Sequence, residues 1–426
     1  MAYDINELIV TSEETNERIQ EGIEQNRKGN FSVKTGLKTG EKVSVKLKNH
    51  KFRFGCNIFM LDEIPDGPQK NELYKEKFKD LFNMATLPFY WDATEPEEGK
   101  TRYAKDAPKI YRRPPIDLCM EFCEKNRIEP REHALCYEHF FPKWLSGRGD
   151  SEVKVQIEKR MREISSRYAK KIPTIEVTNE MFWPQGVTDF YFSPDFMEWC
   201  YKKAAGYFPG NTLCINEYTH EIWETRAVAY DPYYLMIENL LLKGCRIDAI
   251  GMQYHMFYRA EQYFDHTRQA YNLPHLFKAL DNYARFKKPI QITEVTIPAY
   301  TADRADEESQ ADVIERLYSL WFSHPNVEQI VYWNLADGYA AFTTPGNMQE
   351  GENYYRGGLL RFDMSEKPAY KRLKHLIREV WTTDEVVTAD DSGTAKFRGF
   401  YGEYEVTVGG KTVTVNFDRD GKEVVL

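Results

Sequence analysis

No stretch of this 426-residue chain reaches the roughly 18 consecutive apolar residues that a membrane-spanning helix needs. No HxH or HExxH pair occurs, and His133, His139 and His255 are not spaced as a ligand set, which leaves a metal-dependent hydrolase little support. Basic residues are not in excess: the formal charge is −9, which argues against a nucleic-acid partner. The seven cysteines are odd in number, scattered and mostly inside apolar runs. They read as reduced, buried, small hydrophobes, Cys119 and Cys123 included, because no His or Cys neighbour completes a metal site beside that pair. The first residues, Met1 to Glu7, are acidic and polar, unlike a signal peptide. That places the protein in the cytoplasm if the chain is complete, and outside the cell if a leader has been removed.

Aromatic residues are abundant instead, at 14%, with 28 Tyr, 25 Phe and 8 Trp. Such wealth suits either a heavy core or a carbohydrate site, where sugar rings stack their C–H faces on aromatic planes. Two short apolar runs each end on a glutamate: Thr174 to Glu180 and Pro289 to Val295, the latter carrying Glu294. Carboxylates at the ends of buried strands are costly to place unless they do chemistry. A facing pair of them is what glycoside hydrolysis requires, one to protonate the leaving oxygen and one to attack or to activate water.

Strand patterns over 52–59, 82–91, 131–138, 174–180, 212–218, 248–255, 289–296 and 329–335 alternate with helical patterns. The latter include 151–171, 193–208 (capped by Ser193-Pro194-Asp195), 232–243, 272–286, 306–323 and 367–381. Eight strands, most followed by a helix, predict an α/β (β/α)8 barrel with its site at the C-terminal strand ends. An open doubly wound sheet is the alternative, but no Gly-rich phosphate turn follows any strand. A helix is expected over 12–28, with Thr11 and Glu14 at capping-box spacing. The organisation expected is 1–50 as an N-terminal helix and β-hairpin, 51–381 as the catalytic barrel, and 382–426 as a C-terminal β segment pairing with 31–48. Gly409-Gly410 reads as a two-residue hairpin turn. The resulting β-module is either a staple on the barrel or a carbohydrate-binding module stacking through Phe400, Tyr401 and Tyr404.

Polar residues gather at other strand ends too: His133, Asn216-Glu217, Gln253 with His255, and Trp333-Asn334. Taken in order, the segments resemble glycoside hydrolase family 10, the retaining endo-β-1,4-xylanases. Trp91 to Gly99 resembles W-x-x-x-E-P-x-x-G, and Arg131 to Trp144 resembles R-G-H-x-L-x-W-H…P-x-W. Glu176 to Glu180 resembles D-V-x-N-E, and Asn216-Glu217-Tyr218 resembles N-D-Y. Gly251 to His255 resembles G-x-Q-x-H, Ile292-Thr293-Glu294 resembles I-T-E, and Trp333 to Asp337 resembles W-G-x-x-D.

The resemblance implies Glu180 as acid/base and Glu294 as nucleophile. Asn179 would bond a sugar 2-hydroxyl, His255 would hold Glu294 ionised, and Gln253 and His133 would bond neighbouring groups. Trp333 would floor the site, with Tyr90, Trp91 and Tyr137 beside it. It implies a polysaccharide or oligosaccharide substrate; no cofactor, metal, nucleic acid or membrane is expected, and the chain is expected to be a monomer or a dimer. Acid and nucleophile must differ in pKa, so Glu180 is expected to sit in the drier or more anionic surroundings.

The departures fall on the glycone side. Where the family has Glu-Asn-x-Met-Lys, this chain has Thr86 to Tyr90; a Trp becomes Tyr137; and an insertion spans Thr343 to Tyr355. Phe89, Tyr90, Tyr137, Tyr339, Phe342, Tyr354 and Tyr355 are candidates for a new aromatic wall or for plain loop packing. The expected activity is cleavage of internal β-1,4-xylosidic bonds of xylan or a decorated xylan. A β-glucan or plant glycoside is the alternative substrate, and a non-catalytic glycan-binding barrel the alternative class.

Overall fold

A computed structural model describes residues 5–34, 36, 39–419 and 423–425. Eight parallel strands close into a barrel: Arg53–Asn57, Met84–Pro88, Glu129–His133, Thr174–Asn179, Thr212–Glu217, Ala249–His255, Ile290–Thr296 and Val327–Tyr332, the last pairing with the first. Most strands are buried along almost their whole length, as the Thr174–Asn179 and Ile290–Thr296 strands illustrate. That is expected when side chains fill the barrel on one face and helices cover the other. The expected barrel is therefore present, though several strands end earlier than their apolar runs. The second stops at Pro88, the third at His133 and the eighth at Tyr332. Their last residues turn outward as loops over the site.

The helices follow their 3.6-residue patterns. Leu273–Ala284 buries Leu273, Leu276, Phe277, Leu280 and Tyr283, and its Asn272 cap accepts from the His275 N–H. Pro68–Leu81 and Ile116–Asn126 complete the outer ring between the first three strands. The first long helix, Glu13–Arg27, is capped by Ser12, whose hydroxyl accepts from the Thr15 N–H at 3.1 Å. Thr11, the cap expected from its spacing with Glu14, instead bonds Asn16 from an exposed position. Ser193 does not cap the helix Phe196–Tyr207 directly; its hydroxyl bonds Asp195, the residue that precedes that helix. The last helical run of the barrel is α-helical over Pro368–His375 and widens to a π-turn over Leu376–Val380.

Residues 28–50 do not form a hairpin. Lys28–Lys34 pairs antiparallel with Thr394–Phe400, whereas Lys42–His50 lies between Asp384–Thr388 and Gly402–Val408 in a second sheet. Alternation fixes which face of a strand is apolar, but not its partner, and here the better partners lie near the other end of the chain. The Gly409-Gly410 turn joins Gly402–Val408 to Lys411–Phe417 with φ of +55° and +80°, the left-handed pair that a tight hairpin demands. Phe31, Phe397, Tyr404 and Phe417 form the core between the sheets, with Phe31 stacked on Phe417 at 4.6 Å. Phe400 and Tyr404 are buried, so they offer no face for sugar stacking. Arg27 ties this module to the N-terminal end of the barrel, donating to the carbonyls of Phe322, His324 and Val327. The module is thus at the end opposite the C-terminal strand ends. Among the described residues all seven cysteines are buried and unpaired, and no helix is long and apolar enough to cross a membrane.

Candidate active site

The C-terminal strand ends open into a cleft of about 510 Å³. Its floor holds Asn179, Glu180, His133, Gln253, His255, Glu294 and Trp333, carried to the same end by five of the strands. Glu180 is the first residue past its strand and adopts φ +53°, an uncommon conformation for a side chain with a Cβ. Its N–H still reaches the Asn216 carbonyl at 3.2 Å. The buried Glu217 carboxylate fixes the turn by accepting from the N–H groups of Met181 (2.8 Å) and Tyr218 (2.9 Å).

Gln253 joins the two expected catalytic residues. Its Nε2 donates to Glu180 Oε1 at 2.9 Å and to Glu294 Oε1 at 3.0 Å, and lies 3.2 Å from Asn179 Oδ1. Two oxygens bonded to one nitrogen at these lengths are at most about 6 Å apart. Asn216 Nδ2 donates to Glu294 Oε1 at 3.1 Å and to Asn179 Oδ1 at 2.8 Å, and its own Oδ1 accepts from Thr293. Gly251 leaves room for this amide, since a Cβ there would stand 2.4 Å from Asn216 Oδ1. Tyr137 donates its hydroxyl to Glu180 Oε2.

His255 faces the other oxygen of Glu294 at 3.2 Å and Thr296 Oγ1 at 2.9 Å. Burial pushes its pKa down to about 4, so the ring is neutral at neutral pH. The network then assigns the proton to Nε2, donating to Glu294, with Nδ1 accepting from Thr296. Beneath lies a sealed ion network. Arg131 reaches Glu176 at 2.5 Å, and His133 bonds Glu176 at 2.9 Å through Nδ1 and the Tyr90 hydroxyl at 3.0 Å through Nε2. Burial opposes charge on Glu176, but Arg131 and His133 outweigh it and hold its carboxyl below the usual range. Burial likewise works to lower the His133 pKa, and Glu176 outweighs it, so the net shift is upward. His133, Glu176 and Glu294 have oxygens and nitrogens within 4.8 Å of one another. With Arg131 already neutralising Glu176, the cluster is explained as an ion-pair network without a metal.

Glu294, not Glu180, is the drier carboxyl. Glu294 is 3% exposed and burial pushes its pKa well above the usual range, with the His133 charge pulling it back. Glu180 is half-buried, because its outward turn exposes it to the cleft. This reverses the expectation from the sequence, which follows from the chemistry the acid performs and not from which residue projects past its strand.

Tyr90, Tyr137 and Phe342 line the cleft, as expected of an aromatic wall. Trp91 does not. One turn of helix, Trp91–Thr94, points it into the wall against Phe141 and Trp144. Phe89 is buried against Tyr168, and Tyr339 packs on Phe362. Tyr354 and Tyr355 pack with Tyr300 outside the cleft. Sequence reasoning misses Arg112, Arg113, Phe140, Trp183 and Glu352, all of which line the cleft. Arg131 and Glu176 stand at motif positions, but no local pattern signals the ion pair between them.

Comparison with known proteins gives a consistent answer. Residues 47–376 match the sequence model described as glycosyl hydrolase family 10. The chain is 26% identical to the anti-sigma-I factor RsgI6 of Acetivibrio thermocellus over 96% of its own length and 48% of the relative's. It is 26% identical to endo-1,4-beta-xylanase 2 of Arabidopsis thaliana over 90% of its length and 32% of that protein's. It therefore spans half or less of these two relatives. Endo-1,4-beta-xylanase B of Thermotoga neapolitana is 25% identical over 77% of this chain and 88% of its own. Native xylanase 10B of Thermotoga maritima superposes with a TM-score of 0.61 at 22% identity, covering 78% of this chain and 96% of that one, which shows the shared fold. On its barrel, its ordered strand-end motifs and the family match across most of its length, the chain belongs to glycosyl hydrolase family 10.

Proposed function

We propose that this protein is a retaining glycoside hydrolase that cleaves internal β-1,4-xylosidic bonds of xylan or a decorated xylan by double displacement. The observation that carries the reading is the shared Gln253 amide, which keeps the Glu180 and Glu294 oxygens within about 6 Å. Retaining enzymes hold their carboxyls roughly 5–5.5 Å apart, whereas inverting ones need roughly 6.5–9.5 Å to admit a water. The xylan substrate is supported by the named xylanases to which the chain is similar.

In the first step a Glu294 oxygen attacks the anomeric carbon while protonated Glu180 gives its proton to the departing oxygen. The C–O bond to the leaving sugar breaks as the ester to Glu294 forms. In the second step Glu180, now a carboxylate, takes a proton from water, which displaces Glu294 and regenerates it. Asn216, Gln253 and His255 all donate to Glu294, so they stabilise its anion against the burial that opposes it. The Asn179 Nδ2 is buried without a partner among the described residues, while its Oδ1 is fixed by Asn216 and Gln253. An orphaned donor beside the catalytic pair is ready for the sugar hydroxyl next to the anomeric carbon, a contact that tightens in the transition state.

A panel of xylans, β-glucans and aryl β-glycosides, assayed with the wild type and with Glu294→Ala, tests this. Xylan turnover abolished by the substitution is expected. Turnover of glucans or glucosides without xylan would keep the chemistry and replace the substrate, and no turnover of any β-glycoside would reject the enzyme.

A further inference from the structure

Arg113 stands out among the cleft residues. Its guanidinium is laid over the Tyr90 ring at 3.7 Å, with Phe59 and Phe140 at 5.6 and 5.5 Å. The residue is only 8% exposed, yet it lines the cleft. Its backbone is pinned, the N–H on the Ile110 carbonyl at 2.8 Å and the carbonyl on Arg102 at 2.7 Å. Among the described residues its side chain makes one hydrogen bond, from Nη1 to the Arg112 carbonyl at 3.0 Å. Among the described residues no carboxylate comes within ion-pair distance; Asp92 acts on it only from farther away. Of the two adjacent arginines, Arg112 spends its side chain on the Tyr339 carbonyl and has a sealed, unbonded Nε. Among the described residues Arg113 has no such sealed, unbonded nitrogen, and it lines the cleft.

A guanidinium carries five donors in a planar fork and cannot shed its charge. Holding one nine-tenths buried without a counter-ion is unfavourable, and aromatic faces recover only part of the loss. A site built this way is completed by an anion from outside. The fork matches a carboxylate in bidentate geometry, whereas sugar hydroxyls need no charge. Tyr90 links the position to the chemistry, because its hydroxyl bonds His133, which faces Glu176 and Glu294.

We propose that Arg113 binds the carboxylate of a uronic acid carried by the substrate, on the Tyr90 side of the catalytic pair. This rests on the glycosidase reading and names the decoration that the cleft selects. The uronic acid has two sources, a branch on a neutral main chain or a unit of the main chain itself.

Calorimetric titration of Glu294→Ala with a glucuronic-acid-branched xylo-oligosaccharide, its carboxyl-reduced counterpart and an oligosaccharide bearing the acid in its main chain separates the cases without requiring turnover. At least one acidic ligand should bind on the order of ten- to a hundredfold tighter than the reduced form. Which one does so identifies the source. Adding Arg113→Met, which keeps an apolar stem against Tyr90, should cancel that difference, and Arg113→Lys should restore part of it. Equal affinity for the acidic and reduced ligands overturns the proposal, with no variant needed. So does an Arg113→Met variant that weakens both alike, which is what a purely structural stacking role would give. Hydrolysis by the wild type is scored separately: an acid preference without any turnover rejects the glycosidase and leaves the carboxylate site standing.

Discussion

Replacing Gln253 with methionine removes one nitrogen that serves Glu180, Glu294 and Asn179 while keeping much of the side-chain volume. Two carboxylates within about 6 Å repel by about 3 kcal/mol at an effective dielectric constant of ~20. The shared amide offsets part of that by donating to both. A hydrogen bond to a charged group contributes about 1.5–3 kcal/mol. If Glu294 loses that much support for its anion, its pKa rises by about 1–2 units, on top of the rise that burial already causes. The acid limb of the kcat/KM–pH profile, which reports nucleophile ionisation in the free enzyme, should move up by that amount. The plateau should fall by between about 10- and 150-fold. The assay is initial-rate hydrolysis of an aryl β-xyloside or xylan from pH 4 to 8, with circular dichroism to verify the fold. An unmoved acid limb with a plateau within about threefold of wild type would refute the claim that Gln253 holds the pair.

Gly251→Ala should cost on the order of tenfold or more in kcat/KM, because the new Cβ would stand 2.4 Å from Asn216 Oδ1 and displace an amide that holds Glu294; near-normal rates would show that Asn216 matters little. Arg131→Met should destabilise the protein by about 3–5 kcal/mol in urea unfolding, since it leaves the Glu176 charge buried with half its support gone. A loss under about 1 kcal/mol would contradict the ion-pair account. His50 has its pKa lowered to about 4 by burial, which outweighs the Trp381 and Ile377 backbone groups that raise it. Between pH 6.5 and 4 the unfolded chain therefore binds the proton more readily than the folded one. Stability is complete above pH 6.5 and declines by up to about 3 kcal/mol as pH falls to 4. His50→Gln should flatten that part of the curve, and an unchanged slope in urea midpoints between pH 7 and 4 would reject the assignment.

The barrel, and the arrival of Glu180 and Glu294 in one cleft, were legible because both are written in local patterns. A buried parallel strand is a short apolar run, and a polar residue closing it is conspicuous, as at Glu180, Gln253 and Glu294. What depends on which way a side chain turns after the strand was not legible. Tyr90 and Trp91 are adjacent, yet one faces the cleft and the other the wall, because the chain enters a helical turn between them. The relative dryness of Glu180 and Glu294 depends on the same kind of outward turn. Arg112 and Arg113 lie in an irregular loop rich in proline and charge, where no periodicity signals burial and a surface position is the natural expectation for arginine. The terminal segments showed their apolar faces but not which strand meets which: 28–34 and 42–50 each pair with strands of the C-terminal segment, in separate sheets, and not with each other.

The central claim is that Glu294 becomes covalently bound to sugar while Glu180 manages the proton. A 2-deoxy-2-fluoro β-xylobioside with a good leaving group slows the second displacement and accumulates the intermediate, and peptide mass spectrometry then locates the added mass. The account predicts a single glycosyl adduct on the peptide carrying Glu294, absent in Glu294→Ala. An adduct on a different carboxylate, or steady turnover of xylan with no adduct and an inverted first product, would contradict it.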